Sequence, residues 1–163
     1  MTVDETFTVT DRRRVALVED GVSPAPIHYT SDRLDVAAHV EEVRASVTRA
    51  SAAALDALPG PVESLSLRWW PLDFPTDIEV LRRPPWEARA DAVMYRQLLA
   101  ELAHERGWEV HGYDAKTVEG EAAAVLGDRA RAVLYGPRDV LGPPWTKDHR
   151  AALSAAVLAG STG

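Results

Sequence analysis

Residues 84–126 read PPWEARADAVMYRQLLAELAHERGWEVHGYDAKTVEGEAAAVL, and this stretch decides the fold class. Its first part is predicted to be a helix, because two prolines suit a helix N-terminus and apolar residues recur at three- and four-residue steps. The positions on the predicted core face are Trp86, Ala90, Val93, Met94, Gln97, Leu98 and Leu102. Gly107 is a typical helix stop, residues 108–113 have the composition of a short strand, and residues 117–126 return to a helical pattern. A helix, a strand and another helix in succession predict a layered α/β core.

The rest of the chain predicts a mixed sheet with helices on its faces. Apolar alternation and short connections predict an antiparallel meander of three strands, at residues 6–10, 13–19 and 26–30. Residues 36–58 have helical spacing, residues 65–70 alternate as a fourth strand, and residues 129–135 are interpreted as a short strand or turn. Thr146 is a candidate cap for a closing helix. We therefore predict one α/β domain over residues 1–163, with five strands in the order strand, strand, strand, helix, strand, helix, strand, helix.

The composition is that of an acidic globular protein. Its 18 basic and 25 acidic residues give a formal net charge of −7, so any nucleic-acid contact needs a local basic patch. The absence of cysteine excludes disulfides and thiolate chemistry, and no stretch is apolar enough to span a bilayer. Because no basic apolar leader follows Met1, we expect a cytoplasmic protein, with flexible ends at residues 1–5 and 160–163.

Interleaved tryptophans and basic residues predict a recognition surface around the loop at residues 71–85. The candidate binding residues are Arg68, Trp69, Trp70, Arg82, Arg83, Trp86, Lys116 and Lys147. Such side chains stack on bases and contact phosphates, but tryptophan and arginine are also typical of protein interfaces, and tryptophans often only cover a core edge. The acidic net charge favours a protein partner over structured nucleic acid, and a homodimer is a further alternative.

Three further stretches carry a family resemblance: FTVTD at residues 7–11, WEVHGYDAKTV at residues 108–118 and DHRAALSAAV at residues 148–157. Together they resemble the RuvC-type Holliday-junction resolvases of the ribonuclease H-like superfamily. The resemblance implies a ribonuclease H-like sheet in which Asp11 ends the first strand. Asp148 would open the closing helix, and both acids would be ligands for Mg²⁺ or Mn²⁺. His149 beside them would be a ligand or a general base.

The chain departs from that family at several positions. Ala151 stands where the closing helix has its second acid, and residues 66–68 stand where the fourth strand has a glutamate. Arg12 or Arg13 replaces the glycine that follows the first acid. Two acids are too few to hold two divalent ions. We therefore favour a degenerate, non-catalytic binding module that needs no cofactor.

The alternative is an active Mg²⁺- or Mn²⁺-dependent endonuclease that uses Asp11, Asp148 and His149. It would take a missing carboxylate from Asp73, Asp77 or Glu79 in the long loop, although acids in such loops are mostly solvated. Asp114 follows the strand at 108–113, where α/β proteins place either reactive groups or helix caps. For Asp114 we favour the cap.

Overall fold

The computed structural model describes residues 1–4, 6–13, 16–22, 35–70, 73–86 and 89–161. The strands are β1 (Thr2–Val3), β2 (Val9–Asp11), β3 (Ser64–Arg68) and β4 (Glu109–Tyr113). The helices are α1 (Val36–Asp56), α2 (Ile78–Leu81), α3 (Ala90–Glu105), α4 (Val118–Leu126), α5 (Ala130–Tyr135), α6 (Pro137–Leu141) and α7 (Lys147–Gly160). The predicted mixture of helix and strand is confirmed, and helix predominates.

Two compact units make up the fold. The strand unit contains Met1–Arg14, Pro59–Trp69 and Gly107–Gly163, and the helix unit contains Val15–Leu58 and Trp70–Arg106. All four strands and α4–α7 belong to the strand unit, whereas α1–α3 belong to the helix unit. The single ribonuclease H-like domain expected over the whole chain stays a prediction.

The helix unit is built on the apolar faces of α1 and α3. Asp35 has extended backbone angles and its side chain accepts the Ala38 N–H at 3.1 Å, which fixes the start of α1. The predicted core face of α3 is confirmed for Val93, Met94 and Leu98, which are all buried. The main cluster comprises Val36, Val40, Val43, Val47, Leu81, Ala90, Met94 and Leu98.

The start of α3 differs from the prediction, since the helix begins at Ala90 and not near Pro84. The Trp86 N–H donates to the Arg83 carbonyl at 2.8 Å, and the Arg89 N–H donates to the Trp86 carbonyl at 3.0 Å. These are three-residue turns, not α-helical bonds. Prolines have no N–H to give to a helical ladder, so the double proline favours this tight turn ahead of the helix.

In the strand unit, β3 and β4 form a parallel pair with Ser64 opposite Glu109 and Arg68 opposite Tyr113. The strands β1 and β2 form a separate antiparallel hairpin, and β1 lies in the end for which flexibility was expected. Helix α7 packs along α4 and over β3. Small buried residues, Ala151 and Ala155, face Val118 of α4 and allow this approach.

The predicted five-stranded sheet is wrong, because the described residues form two two-stranded sheets. Residues 26–30, predicted as the third strand, lie outside the described part of the chain. Of the second predicted strand, residues 16–19 contain no strand. Val18 packs against the helix-unit core, and the Glu19 N–H donates to Ser46 Oγ at 2.8 Å instead of to a neighbouring strand. A short apolar run such as this one can pack against helices as well as pair in a sheet, and its spacing does not distinguish the two.

Candidate functional site

Asp11, the first predicted catalytic acid, ends β2 and forms an ion pair with Arg13. The neighbouring Arg12 has a different role, because its guanidinium donates to the carbonyls of Leu141, Gly142 and Pro144 at 2.7 to 3.3 Å. The arginines that replace the family's glycine are therefore bound within the strand unit. Arg13 forms the ion pair with Asp11, and Arg12 fixes the hairpin to the loop before α7.

Asp148 and His149, the second predicted acid and its neighbour, lie in the first turn of α7. Asp148 is exposed, and an acid at this position stabilises the helix dipole. Nδ1 of His149 accepts the Thr146 N–H at 3.2 Å and lies 2.8 Å from Thr146 Oγ1. Since this nitrogen accepts the bond, the neutral ring carries its proton on Nε2. The His149 ring is 5.6 Å from the Trp145 ring.

Ala151 lies where the resolvase pattern requires a second acid on the closing helix. It is 3 % exposed and belongs to a cluster with Val118 and Ala155, against which Tyr113 and Leu158 pack. This position therefore faces a hydrophobic core. Within the ranges that the structure describes, no three His, Asp or Glu side chains are grouped as ligands for a metal ion.

The loop acids proposed as substitutes have local partners in the helix unit. Asp73 accepts a hydrogen bond from the Gln97 amide at 3.2 Å. Asp77 caps α2 by accepting the Glu79 N–H at 2.9 Å. The Glu79 carboxylate lies 3.6 Å from Nε of Arg82.

The predicted binding residues are divided between the two units. Arg68, Lys116 and Lys147 are exposed in the strand unit, where Trp69 is 63 % exposed. The Trp69 ring lies over Gly112, since a Cβ there would be 2.8 Å from Cε3 of the tryptophan. This close approach explains the glycine inside β4.

The remaining predicted binding residues belong to the helix unit. Trp70 and Trp86 are half-buried, and Trp86 packs against the cluster of α1 and α3 as a core-edge residue. Arg83 is exposed, and Arg82 is half-buried beside Glu79. Residues 71 and 72 of the loop lie outside the described ranges. A recognition surface around this loop stays a prediction.

A cleft of about 270 Å³ lies at the carboxyl end of β4, the position where α/β proteins commonly bind ligands. Its lining includes His111, Tyr113 and Asp114 at the strand end, Thr117 and Glu121 of α4, and Ala155 of α7. Oδ1 of Asp114 accepts the Lys116 N–H at 2.8 Å, and its carbonyl accepts the N–H groups of Thr117 and Val118. Asp114 thus organises the turn into α4, in agreement with the favoured interpretation.

A polar network that the sequence did not indicate joins α4, α5 and α7. The Tyr135 hydroxyl donates to Glu119 at 2.6 Å, and Nε of Arg150 donates to both Glu119 oxygens at 3.1 and 3.3 Å. The Arg150 guanidinium also lies 4.9 Å from the centre of the Tyr135 ring. The bond from Tyr135, followed by Arg150 and Lys147, lowers the pKa of Glu119 below its ordinary value. The same bond to Glu119 raises the pKa of Tyr135.

No protein-family model matches the chain, and neither a curated protein nor a solved structure is significantly similar to it. Among the described residues, no helix has both the length and the apolar character needed to cross a membrane.

Proposed function

We propose that this chain is a non-catalytic module that binds a protein partner, derived from a ribonuclease H-like resolvase. The position of Ala151 carries the proposal. In the resolvase pattern this residue would be a metal-binding acid, whereas here it lies in a hydrophobic cluster. A carboxylate at this position would be buried without a cation, which costs several kcal/mol on the order of the penalty for an unpaired buried charge.

The other two positions of the predicted site support the same proposal. Asp11 is neutralised by Arg13, and the Nδ1 lone pair of His149 accepts a backbone N–H at the start of α7. Catalytic acids and bases must be free to bind metal or exchange protons. In this chain both side chains stabilise local structure.

A protein partner is favoured by charge. The chain has 25 acidic and 18 basic residues, so its net charge of −7 provides no general attraction to a phosphate backbone. The resolvase resemblance supports only the ancestry in this proposal, through an acid at the end of β2 and another at the start of α7.

Calorimetric titration with Mn²⁺, together with incubation of the chain with a four-way DNA junction and Mn²⁺, tests the proposal. We expect no saturable heat at micromolar metal and no cleavage of the junction, because the described part of the chain does not group the carboxylates needed to hold two ions. The variants Asp148→Asn and Asp139→Asn are a matched pair, since both remove an exposed acid from the first turn of a helix. Low-micromolar binding that Asp148→Asn abolishes and Asp139→Asn preserves would restore the nuclease.

A further inference from the structure

An apolar groove lies in the strand unit between the β1–β2 hairpin and the helices α5 and α6. Its volume is about 540 Å³, within the range of about 300–1,000 Å³ typical of ligand sites. The apolar lining includes Phe7 and Val9 from the hairpin and Val133, Pro137, Val140 and Leu141 from the helices. Residues 129–135 were interpreted as a short strand or turn, but Ala130–Tyr135 form α5, which contributes to the groove.

The residues that line the helical side of the groove are regularly spaced in the sequence. Of these residues, Val133, Pro137 and Leu141 are spaced four residues apart and Val140 is three residues after Pro137, so they lie towards one side of α5 and α6. The opposite side is anchored, because Leu134 is buried with Leu153, and its carbonyl accepts the indole N–H of Trp145 at 2.9 Å. On the groove side Val133 is partly buried and packs against the same cluster, whereas Val140 is exposed.

Val140 is the most exposed large apolar side chain among the described residues, at 85 %. Single exposed apolar residues are ordinary, but here the exposure continues into an apolar groove. An apolar side chain of a partner that covered Val140 would gain about 25 cal/mol per Å² of apolar surface removed from water.

The arginines around the groove favour a partner segment with acidic side chains. Arg129 lies in the lining, and Arg131 and Arg138 are exposed on α5 and α6. Among the described residues, none of the guanidinium groups of these three arginines has an ion-pair or hydrogen-bond partner. Residues 127–141 contain three arginines and two aspartates, so this segment has a net charge of +1 in a chain of net charge −7.

Of the described hairpin acids, Asp11 is paired with Arg13, and Asp4 forms its hydrogen bonds within the hairpin turn. Asp4 Oδ1 accepts the N–H groups of Thr6 and Thr8 and the Thr6 hydroxyl at 2.7 to 2.9 Å. These bonds, with that from the Thr6 hydroxyl the strongest, lower the pKa of Asp4. Its carboxylate is satisfied within the hairpin turn, whereas the guanidinium of Arg129 can accommodate an incoming carboxylate.

We propose that this groove binds an acidic amphipathic segment of a partner protein, with apolar side chains between Phe7 and Val140 and a carboxylate on Arg129. This rests on the proposed function as a protein-binding module. An apolar anchor beside an arginine–carboxylate pair is a common arrangement at the centre of protein interfaces.

Fluorescence anisotropy with two labelled peptides tests the inference. The first peptide has leucines at helical three- and four-residue steps with glutamates between them, and the second has lysines in place of the glutamates. We expect only the glutamate peptide to bind, and Val140→Asp to weaken its binding by about tenfold or more, as at an interface anchor. Val125→Asp is the matched control, because Val125 is 54 % exposed on α4 and does not line the groove. Arg129→Glu should reverse the preference between the peptides.

Equal binding of both peptides, or equal effects of Val140→Asp and Val125→Asp, would overturn the inference. A second copy of the chain would be the occupant instead if light scattering showed a dimer that Val140→Asp converts to monomers and the glutamate peptide did not bind. The two proposals fail separately. Metal-dependent junction cleavage with intact peptide binding would reject the non-catalytic function alone, and lack of both activities would reject the groove alone.

Discussion

The helix unit and the strand unit hold their helices together in different ways. In the helix unit, α1 and α3 meet through large apolar side chains such as Val43, Met94 and Leu98. In the strand unit, α4 and α7 approach through small residues such as Ala155, and Glu119 bridges them by bonding Arg150. Truncating a buried side chain should therefore reduce stability most in the helix unit. Enlarging a small buried side chain, or removing a charge, should reduce stability most in the strand unit.

Two tyrosines, one in each unit, have pKa values that are raised by different causes. The pKa of Tyr95 in the helix unit is raised to about 12, chiefly because burial disfavours the phenolate and secondly because Asp91 repels it. The pKa of Tyr135 in the strand unit is raised because its hydroxyl donates to Glu119. A raised tyrosine pKa supports the fold below the ordinary value of 10.0, and this support is lost as the pH rises through the folded-state value.

The largest effect is expected for Leu98→Ala in the helix unit. Leu98 is 5 % exposed in the α1–α3 cluster, so truncation should lower the free energy of unfolding by about 2–5 kcal/mol, measured by urea denaturation. Leu99→Ala is the control, because Leu99 is only half-buried and should cost less. If the two variants were equally stable, the assignment of the buried face of α3 would be wrong.

A smaller loss is expected when volume is added between α4 and α7. Ala155 is 3 % exposed, and Ala155→Leu should cost about 1–3 kcal/mol because the neighbouring side chains must move. Ala124→Leu makes the same change at an exposed position of α4 and should be nearly neutral in the same urea experiment. Similar stabilities for both variants would show that α7 does not depend on close approach.

The smallest effect is expected for Glu119→Gln, which removes the charge between α4 and α7. At neutral pH the variant should lose up to about 1 kcal/mol, the range of a partly exposed ion pair. Because the pKa of Glu119 is lowered in the fold, its contribution is present above the ordinary value of 4.5 and is lost as the pH falls through the folded-state value. The stability difference from the parent chain should therefore disappear in acid.

The tyrosines sharpen this last prediction. In Glu119→Gln the pKa of Tyr135 should fall towards 10.0, whereas that of Tyr95 should stay near 12, as followed by NMR titration of labelled tyrosines. If the pKa of Tyr135 stayed raised in Glu119→Gln, the bond to Glu119 would not be its cause.

The sequence predicted the elements that have a clear period. The three- and four-residue spacing located the buried side of α3, alternation located β3, and strand-forming composition after Gly107 located β4. It failed at residues 16–19, because Val18 packs on helices and Glu19 bonds Ser46 from a different part of the chain. It also failed at residues 129–135, which were interpreted as a short strand or turn although Ala130–Tyr135 form α5.

The candidate site was predictable only where its bonds are local. The turn at Asp114 uses residues within four positions, so its capping role could be inferred. The Glu119–Arg150 pair joins residues 31 positions apart, and no local pattern contains that information. Likewise, the helical period of α7 shows which residues share a side with Ala151 but not that this side is covered by Val118.

The bonds from Arg12 to the loop before α7 have a consequence for folding during synthesis. Arg12 emerges from the ribosome before its carbonyl acceptors, which lie about 130 residues further along the chain. The helix unit is fully synthesised at Arg106, whereas the strand unit still lacks α4–α7 at that point. Contacts so distant in sequence form late because the intervening chain must first be ordered. The β1–β2 hairpin is thus made well before the segment that Arg12 finally contacts, and it is among the last parts of the strand unit to reach its partners.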